Sequence, residues 1–174
     1  EDFPQYKTPS AYFLEKYLRG DYGKASDVGP YKASIFYALD RYDASARIKA
    51  SLERGEWVIC NRYTTSNMGH QAGKIQDPVE RKLFLKWIQY FEYTLLGIPE
   101  PNIIIFLYLP PEQGHALSVA RAQAIGSTLD IHEQDMEHLR SASQAYKEVA
   151  RYNRWHRISC LAKELPRRQN QSCA

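Results

Sequence analysis

The feature that most restricts the fold is an unbroken apolar run near the middle of the chain. Residues 102–109 read Asn-Ile-Ile-Ile-Phe-Leu-Tyr-Leu and lie between Pro101 and the pair Pro110-Pro111. β-Branched and aromatic residues without polar alternation are typical of a parallel strand that is covered on both faces. Segments with helical apolar spacing precede and follow the run. The sequence therefore predicts an α/β fold, with a parallel sheet and helices on both of its faces.

Two more short strands are predicted, at Trp57–Cys60 and Ile158–Cys160. Helices are predicted at residues 11–18, 30–54, 78–96, 110–121 and 133–155, because prolines open several of these segments and glycines follow others. All three predicted strands look like central strands of a sheet. A sheet made of central strands alone is incomplete, so we expect further strands beside them. No linker or internal repeat divides the sequence, and we expect a single domain across residues 1–174.

Composition narrows the class of function. The 174 residues carry a net charge of +3, and basic residues cluster only around Arg151–Arg157. This balance suits a small anionic ligand and gives no reason to expect nucleic acid as a partner. The apolar run at 102–109 is too short to cross a bilayer, so no membrane partner is expected. Three cysteines without CxxC spacing fit reduced thiols, and we expect a cytoplasmic protein.

A polar segment directly follows the predicted strand at Trp57–Cys60. Residues 61–71 contain an arginine, hydroxyls, amides and an imidazole. Open α/β sheets bind ligands beyond the carboxyl ends of their strands. The Arg62 guanidinium offers paired donors that suit a phosphate. The pattern favours an anion site here, and an ordinary polar surface loop is the alternative.

Several blocks along the chain resemble, in the same order, those of the thymidylate kinase family. They are Phe3-Pro4-Gln5-Tyr6, Tyr17-Leu18-x-Gly-x-Tyr22-Gly23, Pro30-Tyr31-x-x-Ser34 with Tyr37-Ala38-Leu39-Asp40-Arg41, Arg62-Tyr63-x-x-Ser66-Asn67-x-x-His70-Gln71-x-x-Lys74-Ile75, Gly97-Ile98-Pro99-x-Pro101 and Asp130-Ile131-His132-Glu133. The resemblance implies a P-loop kinase fold that transfers the γ-phosphoryl group of ATP to dTMP with Mg²⁺, giving dTDP. It also leads us to expect a homodimer.

The resemblance further implies roles for single residues. Tyr37 would stack on thymine and Arg41 would hydrogen-bond the base O4; residues four apart lie on the same side of a helix. Arg62 would bridge the acceptor phosphate and the transferred group, and is a candidate catalytic residue together with Arg121. The other candidates for dTMP binding are Phe3, Tyr6, Ser66, Asn67, His70 and Gln71.

Residues of about 121–133 match the mobile lid of the family. Arg121, Asp130 and Glu133 are the charged lid positions, and Glu133 could approach the sugar hydroxyl or the metal. For both acidic residues, helix capping is the alternative role. Asn61 stands where the family has an Asp near Mg²⁺, and an amide binds a hard cation more weakly than a carboxylate. The metal ligands are therefore left open.

No Gly-x-x-x-x-Gly-Lys phosphate loop occurs in the sequence. In the family this loop belongs to a first βα unit, of about 30 residues, that precedes the Phe3 block. We therefore expect an incomplete thymidylate kinase chain that carries the dTMP half of the site and has no kinase activity by itself. The alternatives are a non-catalytic, nucleotide-binding pseudokinase and a kinase for another deoxynucleoside or its monophosphate.

Overall fold

The computed structural model describes residues 1–160 of the chain. Its helices are α1 Tyr12–Arg19, α2 Ala25–Val28, α3 Pro30–Glu53, α4 Thr64–His70, α5 Pro78–Gln89, α6 Pro111–Ile125 and α7 Met136–Tyr152, and its strands are β1 Ile105–Tyr108 and β2 His156–Ser159. Short 3₁₀ turns occupy Pro9–Ala11 and Ala72–Lys74, and a π-helical segment at Tyr90–Leu95 continues α5. None of the helices within residues 1–160 is long and apolar enough to cross a membrane.

Capping explains where two of these helices begin. The Asp77 carboxylate accepts the backbone N–H groups of Val79 and Glu80, and Pro78 supplies the first residue of α5. Helix α7 begins at Met136, where Asp135 caps it, and not at Glu133 as predicted. The Asp130 carboxylate holds the N–H groups of the next residues in a separate turn, which delays the helix.

The sheet is parallel, as predicted, and is made of β1 and β2 with Ile105 opposite His156 and Tyr108 opposite Ser159. One face is covered, because Phe106 stacks on Tyr146 of α7 with ring centroids 5.5 Å apart. On the other face, Ile105 and Leu107 are 60% and 62% exposed. Within residues 1–160, this strand is therefore covered on one face only.

The predicted strand at Trp57–Cys60 is wrong as a strand of this sheet. The segment is extended, but Trp57 and Ile59 are 88% and 82% exposed. It pairs instead with the first residues of the chain: Asn61 donates its N–H to the Glu1 carbonyl at 2.9 Å, and Phe3 donates to the Asn61 carbonyl at 3.1 Å. The pairing amounts to one parallel bridge between Asp2 and Asn61.

Helix α7 packs closely on α4 and on the turn that follows it. The closeness depends on two glycines: a Cβ on Gly73 would lie 2.8 Å from the backbone of Ala142, and one on Gly69 would meet the Tyr146 ring. The apolar interior here is formed by Met68, Ala72, Ile75, Phe84, Ile88, Ala145 and Val149. This packing brings the predicted lid region to the polar end of α4.

Candidate functional site

A small cavity lies where the N-terminal segment, α3, α4 and the loop before α7 meet. Its volume is about 60 Å³, and its walls include six of the predicted site residues: Tyr6, Tyr37, Arg62, His70, Asp130 and Glu133. Pockets that enclose drug-sized ligands hold roughly 300–1,000 Å³. A nucleotide therefore requires side chains or the loop to move outward.

Arg62 is held in an unusual conformation at this cavity. Its backbone has a φ of 60°, in the left-handed region that non-glycine residues rarely adopt. Its Nη2 donates to His70 Nε2 at 2.9 Å. Because a guanidinium can only donate, Nε2 must be the unprotonated nitrogen of a neutral imidazole. Burial holds the pKa of His70 well below its usual range, in agreement with that state.

Two more imidazoles continue from His70. In the neutral tautomer, His70 Nδ1 carries the hydrogen and donates to His138 Nε2 at 3.4 Å, and the rings of His132 and His138 lie 4.4 Å apart. Burial, with the charge of Lys74 acting in the same direction, lowers the pKa of His138 to about 4. Burial likewise lowers the pKa of His132 to about 2. All three histidines are thus neutral near pH 7.

Within residues 1–160, no group of three or more His, Cys, Asp or Glu side chains could hold a metal ion. Both ring nitrogens of His132 are buried and lack a hydrogen-bond partner among these residues. His132 belongs to a motif of the sequence that assigns it no role, and His138, in the first turn of α7, belongs to none of the motifs.

Arg41 lies in the interior, in a buried ion pair. Its Nε donates to Glu92 Oε2 at 2.7 Å and its Nη2 donates to Glu92 Oε1 at 2.8 Å. Both side chains are at most 2% exposed. Glu92 lies in the π-helical segment, outside the motifs of the sequence, so no sequence pattern identifies it as a site residue.

Asn67 is bound to the same carboxylate. Its Nδ2 donates to Glu92 Oε1 at 2.8 Å and to the Ser34 carbonyl at 3.2 Å. Its Oδ1 is buried and has no partner in the described part of the chain. A buried acceptor without a donor is costly, so this oxygen is a candidate ligand contact.

The sequence profile of the thymidylate kinase family matches residues 1–168. The chain belongs to the thymidylate kinase family. It is 30% identical over 151 residues to the thymidylate kinase of Mycobacterium tuberculosis H37Rv, covering 85% of this chain and 69% of that one. It is 28% identical over 127 residues to the enzyme of a Synechococcus strain, covering 72% of this chain and 59% of the relative.

A solved structure, the thymidylate kinase of Candida albicans, has a similar fold. The superposition has a TM-score of 0.61 at 18% sequence identity, and covers 91% of this chain and 69% of the other. The predicted fold class, a P-loop kinase fold, is thereby confirmed. Membership of the thymidylate kinase family implies a phosphoryl-transferring kinase, with ATP as co-substrate and commonly Mg²⁺.

Within the thymidylate kinase fold, the predicted lid contacts the cavity through its acidic end. Arg121, at the exposed side of α6, forms an ion pair with Glu133 at 2.7 Å. Asp130 accepts the N–H groups of His132 and Glu133 at 2.9 and 2.8 Å, and burial raises its pKa. Both acidic residues border the cavity, and Asp130 organises a turn instead of capping a helix.

Other predicted residues do not line the cavity. Phe3 is 4% exposed and packs against Tyr63 with ring centroids 5.6 Å apart, in the interior. Ser66 and Gln71 lie on and just after α4, outside the cavity wall. Asn61 donates from its amide to Asp2 Oδ1 at 2.8 Å. The roles given to these residues toward dTMP and Mg²⁺ stay predictions.

Proposed function

We propose that the chain binds dTMP at the cavity between α3, α4 and the lid loop, as the acceptor side of phosphoryl transfer from ATP that yields dTDP. The observation that carries the proposal is the meeting of an aromatic ring, a cation and an imidazole there: Tyr37, Arg62 and His70. These groups come from separate parts of the chain and face one small space. They supply a stacking surface, an anion contact and a hydrogen-bond donor or acceptor.

The base end of the ligand is assigned to the polar groups one turn along the same helices. Asn67 lies three residues before His70 on α4, and its partner Ser34 lies three residues before Tyr37 on α3. Positions three apart on a helix share a face. Asn67 Oδ1, which is buried and has no partner within residues 1–160, would accept a hydrogen bond from an N–H on the edge of a base.

The phosphate end is assigned to Arg62. In the chain alone, one of its donors is used by a neutral imidazole, His70, which is a weaker acceptor than a phosphate oxygen. An incoming phosphate would replace that contact with a salt bridge, in which both partners are charged. During transfer, charge shifts over the phosphoryl oxygens, so a fixed arginine there stabilises the transition state more than the ground state.

ATP enters the proposal as Mg·ATP, a co-substrate. Magnesium commonly relies on one or two carboxylates together with substrate phosphates. The described residues contain no acidic cluster that could hold the ion alone, and Asn61 brings an amide next to Asp2. Arg121 would close over the phosphates from the lid, and Glu133 would approach the sugar hydroxyl or the metal. We propose a homodimer as the assembly.

Calorimetric titration of the chain with dTMP tests the acceptor site. We expect saturable binding that weakens at least about tenfold in Arg62→Ala, since a charge-assisted contact contributes roughly 1.5–3 kcal/mol. Arg19→Ala, an exposed arginine on α1 that pairs with Asp21, is the matched control and should bind normally. A chain that binds no dTMP, or an Arg62→Ala variant that binds it unchanged, would refute the proposal.

A coupled assay for dTDP tests turnover. We expect none from the 174 residues alone, because the sequence has no Gly-x-x-x-x-Gly-Lys segment to cradle the β- and γ-phosphates. Formation of dTDP from ATP and dTMP would show that other residues of the chain serve that purpose. Titration with thymidine and dCMP in parallel separates dTMP from other acceptors.

A further inference from the structure

We propose that nucleotide binding takes up one proton from the solvent, and that His70 receives it on Nε2 once the phosphate has drawn Arg62 away from that nitrogen. His70 is then a positioning residue in the free chain, where it holds Arg62, and a hydrogen-bond donor to the phosphate in the complex. The inference rests on the proposed function, that is, on a nucleotide phosphate binding at Arg62.

Both nitrogens of the His70 ring are engaged in the free chain. Nε2 accepts a hydrogen bond from Arg62 Nη2 at 2.9 Å, and Nδ1 donates to His138 Nε2 at 3.4 Å. A guanidinium can only donate, so a proton on Nε2 would set two N–H groups against each other. The contact with Arg62 therefore excludes the proton, and removing that contact opens the position for it.

Arg62 is free to exchange this partner for a phosphate. Its side chain is exposed and borders the cavity. Its other side-chain contact, from Nε to Ser66 Oγ, is 3.5 Å long, at the limit of a hydrogen bond. A phosphate oxygen is a stronger acceptor for a guanidinium than a neutral imidazole is, so the exchange is favourable.

The charge beside His70 changes sign when the phosphate arrives. In the free chain, burial and the positive charge of Arg62 together hold the pKa of His70 well below its usual range. A phosphate monoester carries about two negative charges near pH 7, more than the single positive charge of Arg62 can balance. An imidazole beside a net negative group favours its charged form.

The protonated ring has a place for each of its two N–H groups. Nδ1 keeps its donor bond to His138, because the neutral His138 ring still offers Nε2 as an acceptor. Nε2 gains a proton and donates it to the phosphate. Only one nitrogen of one residue changes state, so no other proton has to move.

Other titratable groups surround His70 on every side. They come from the N-terminal segment, α3, the turn after α4, the lid loop and α7, and they are Tyr6, Tyr37, Lys74, Asp130, His132, Glu133, His138 and Tyr146. The positive charge of Lys74 opposes protonation of His70. Asp130 is the rival acceptor for the proton, because burial already raises its pKa.

The test counts protons by calorimetry. The chain is titrated with dTMP at pH 6.5, without magnesium, in MES and in Bis-Tris, because the heats of ionisation of these buffers differ. His70→Gln is the reference: glutamine keeps an acceptor for Arg62 and does not titrate, and proton changes on dTMP itself occur in both titrations. The unchanged chain should take up at least about half a proton more per dTMP than His70→Gln does.

The same linkage predicts a pH dependence of affinity. A ligand that brings a proton with it binds more tightly as the pH falls. Between pH 7.5 and pH 6.0, the affinity of the unchanged chain for dTMP should rise at least about fivefold more than that of His70→Gln. A purely structural role of His70 would weaken binding in the variant by the same factor at both pH values.

Two controls identify the residue and the cause. His156→Gln removes an exposed histidine on β2, outside the cavity wall, and should take up as many protons as the unchanged chain. Thymidine has no phosphate and leaves Arg62 on His70, so its binding should take up no proton. Equal proton uptake in the unchanged chain and in His70→Gln would overturn the inference and favour Asp130, and equal uptake with thymidine and dTMP would overturn it as well.

Failure of the inference is separable from failure of the proposed function. If the unchanged chain does not bind dTMP, the proposed site is wrong and the inference falls with it. If it binds dTMP with the same proton count as His70→Gln, only the inference falls. Should His70→Gln not fold, ¹⁵N NMR of the unchanged chain decides. The Nε2 signal of His70 should move from the unprotonated to the protonated range when dTMP binds at pH 6.5, and a signal that stays in the unprotonated range overturns the inference.

Discussion

Acidification should destabilise the chain through the buried histidines, and His138 allows the effect to be measured. The groups that face this imidazole are His70 on α4, Lys74 on the following turn, His132 in the lid loop and Asp135 at the start of α7. Of these, Lys74 opposes its protonation and Asp135 favours it, and burial outweighs both. His138 therefore stays neutral in the folded chain well below pH 6.

The sign follows from where the proton binds. The folded-state pKa of His138 is about 4, below the value of 6.5 for an unperturbed imidazole. As the pH falls below 6.5, the unfolded chain takes up a proton that the folded chain refuses. Stability is thus lost between about pH 6.5 and pH 4, and from pH 7.5 to pH 5.0 this single group accounts for about 2 kcal/mol.

The assay is urea denaturation at both pH values for the unchanged chain and for His138→Gln. Glutamine is neutral at both pH values and keeps an amide near His70. On acidification, the His138→Gln variant should therefore lose about 2 kcal/mol less stability than the unchanged chain. The control is His156→Gln, at an exposed position on β2. It should lose as much stability between the two pH values as the unchanged chain does. Equal losses in the unchanged chain and in His138→Gln would refute the reasoning.

Three changes in stability follow from other parts of the fold, each measured by thermal or urea unfolding. Gly73→Ala should cost about 1–3 kcal/mol, because its Cβ meets backbone of α7 that cannot step aside, and unchanged stability would contradict that contact. Gly114→Ala, in α6 with its nearest neighbour 3.9 Å away, should gain about 0.5–1 kcal/mol, and a loss would contradict the open space. Asp77→Ala should cost about 1 kcal/mol through the lost cap of α5, whereas Asp77→Asn should retain most of it.

The sequence predicted the parallel pairing and five of the seven α-helices within residues 1–160, because their signals are local, but it did not predict α2 and α4, which fall in segments interpreted as loops. Pro30, Pro78 and Pro111 mark the starts of α3, α5 and α6, where a missing N–H costs nothing. The exposure of Ile105 and Leu107 could not be predicted. An apolar run indicates that both faces of a strand need to be buried, but it does not show which segments cover them.

At the site, Arg62 and His70 belong to one motif of the sequence, and the structure brings them into contact. The sequence assigned Arg41 to a base contact without seeing that two of its nitrogens are already bound. The partner Glu92 is 51 positions away along the chain, and no spacing rule links the two. A buried ion pair between distant segments is a property of the packing, so only the structure reveals it.

The glycine contacts between α4 and α7 also decide which wall of the cavity can yield. Where backbone lies against backbone, as at Gly73 and Ala142, no rotamer change can open a gap, and sliding would require whole helices to move. The wall made by α4 and α7 is therefore stiff. The space that a nucleotide needs must come from the opposite side, where Tyr6 is 55% exposed and the loop after Gly126 is held to α6 by the ion pair between Arg121 and Glu133 and not by backbone packing. A bound nucleotide is therefore expected to displace Tyr6 and the loop and to leave α4 and α7 in place.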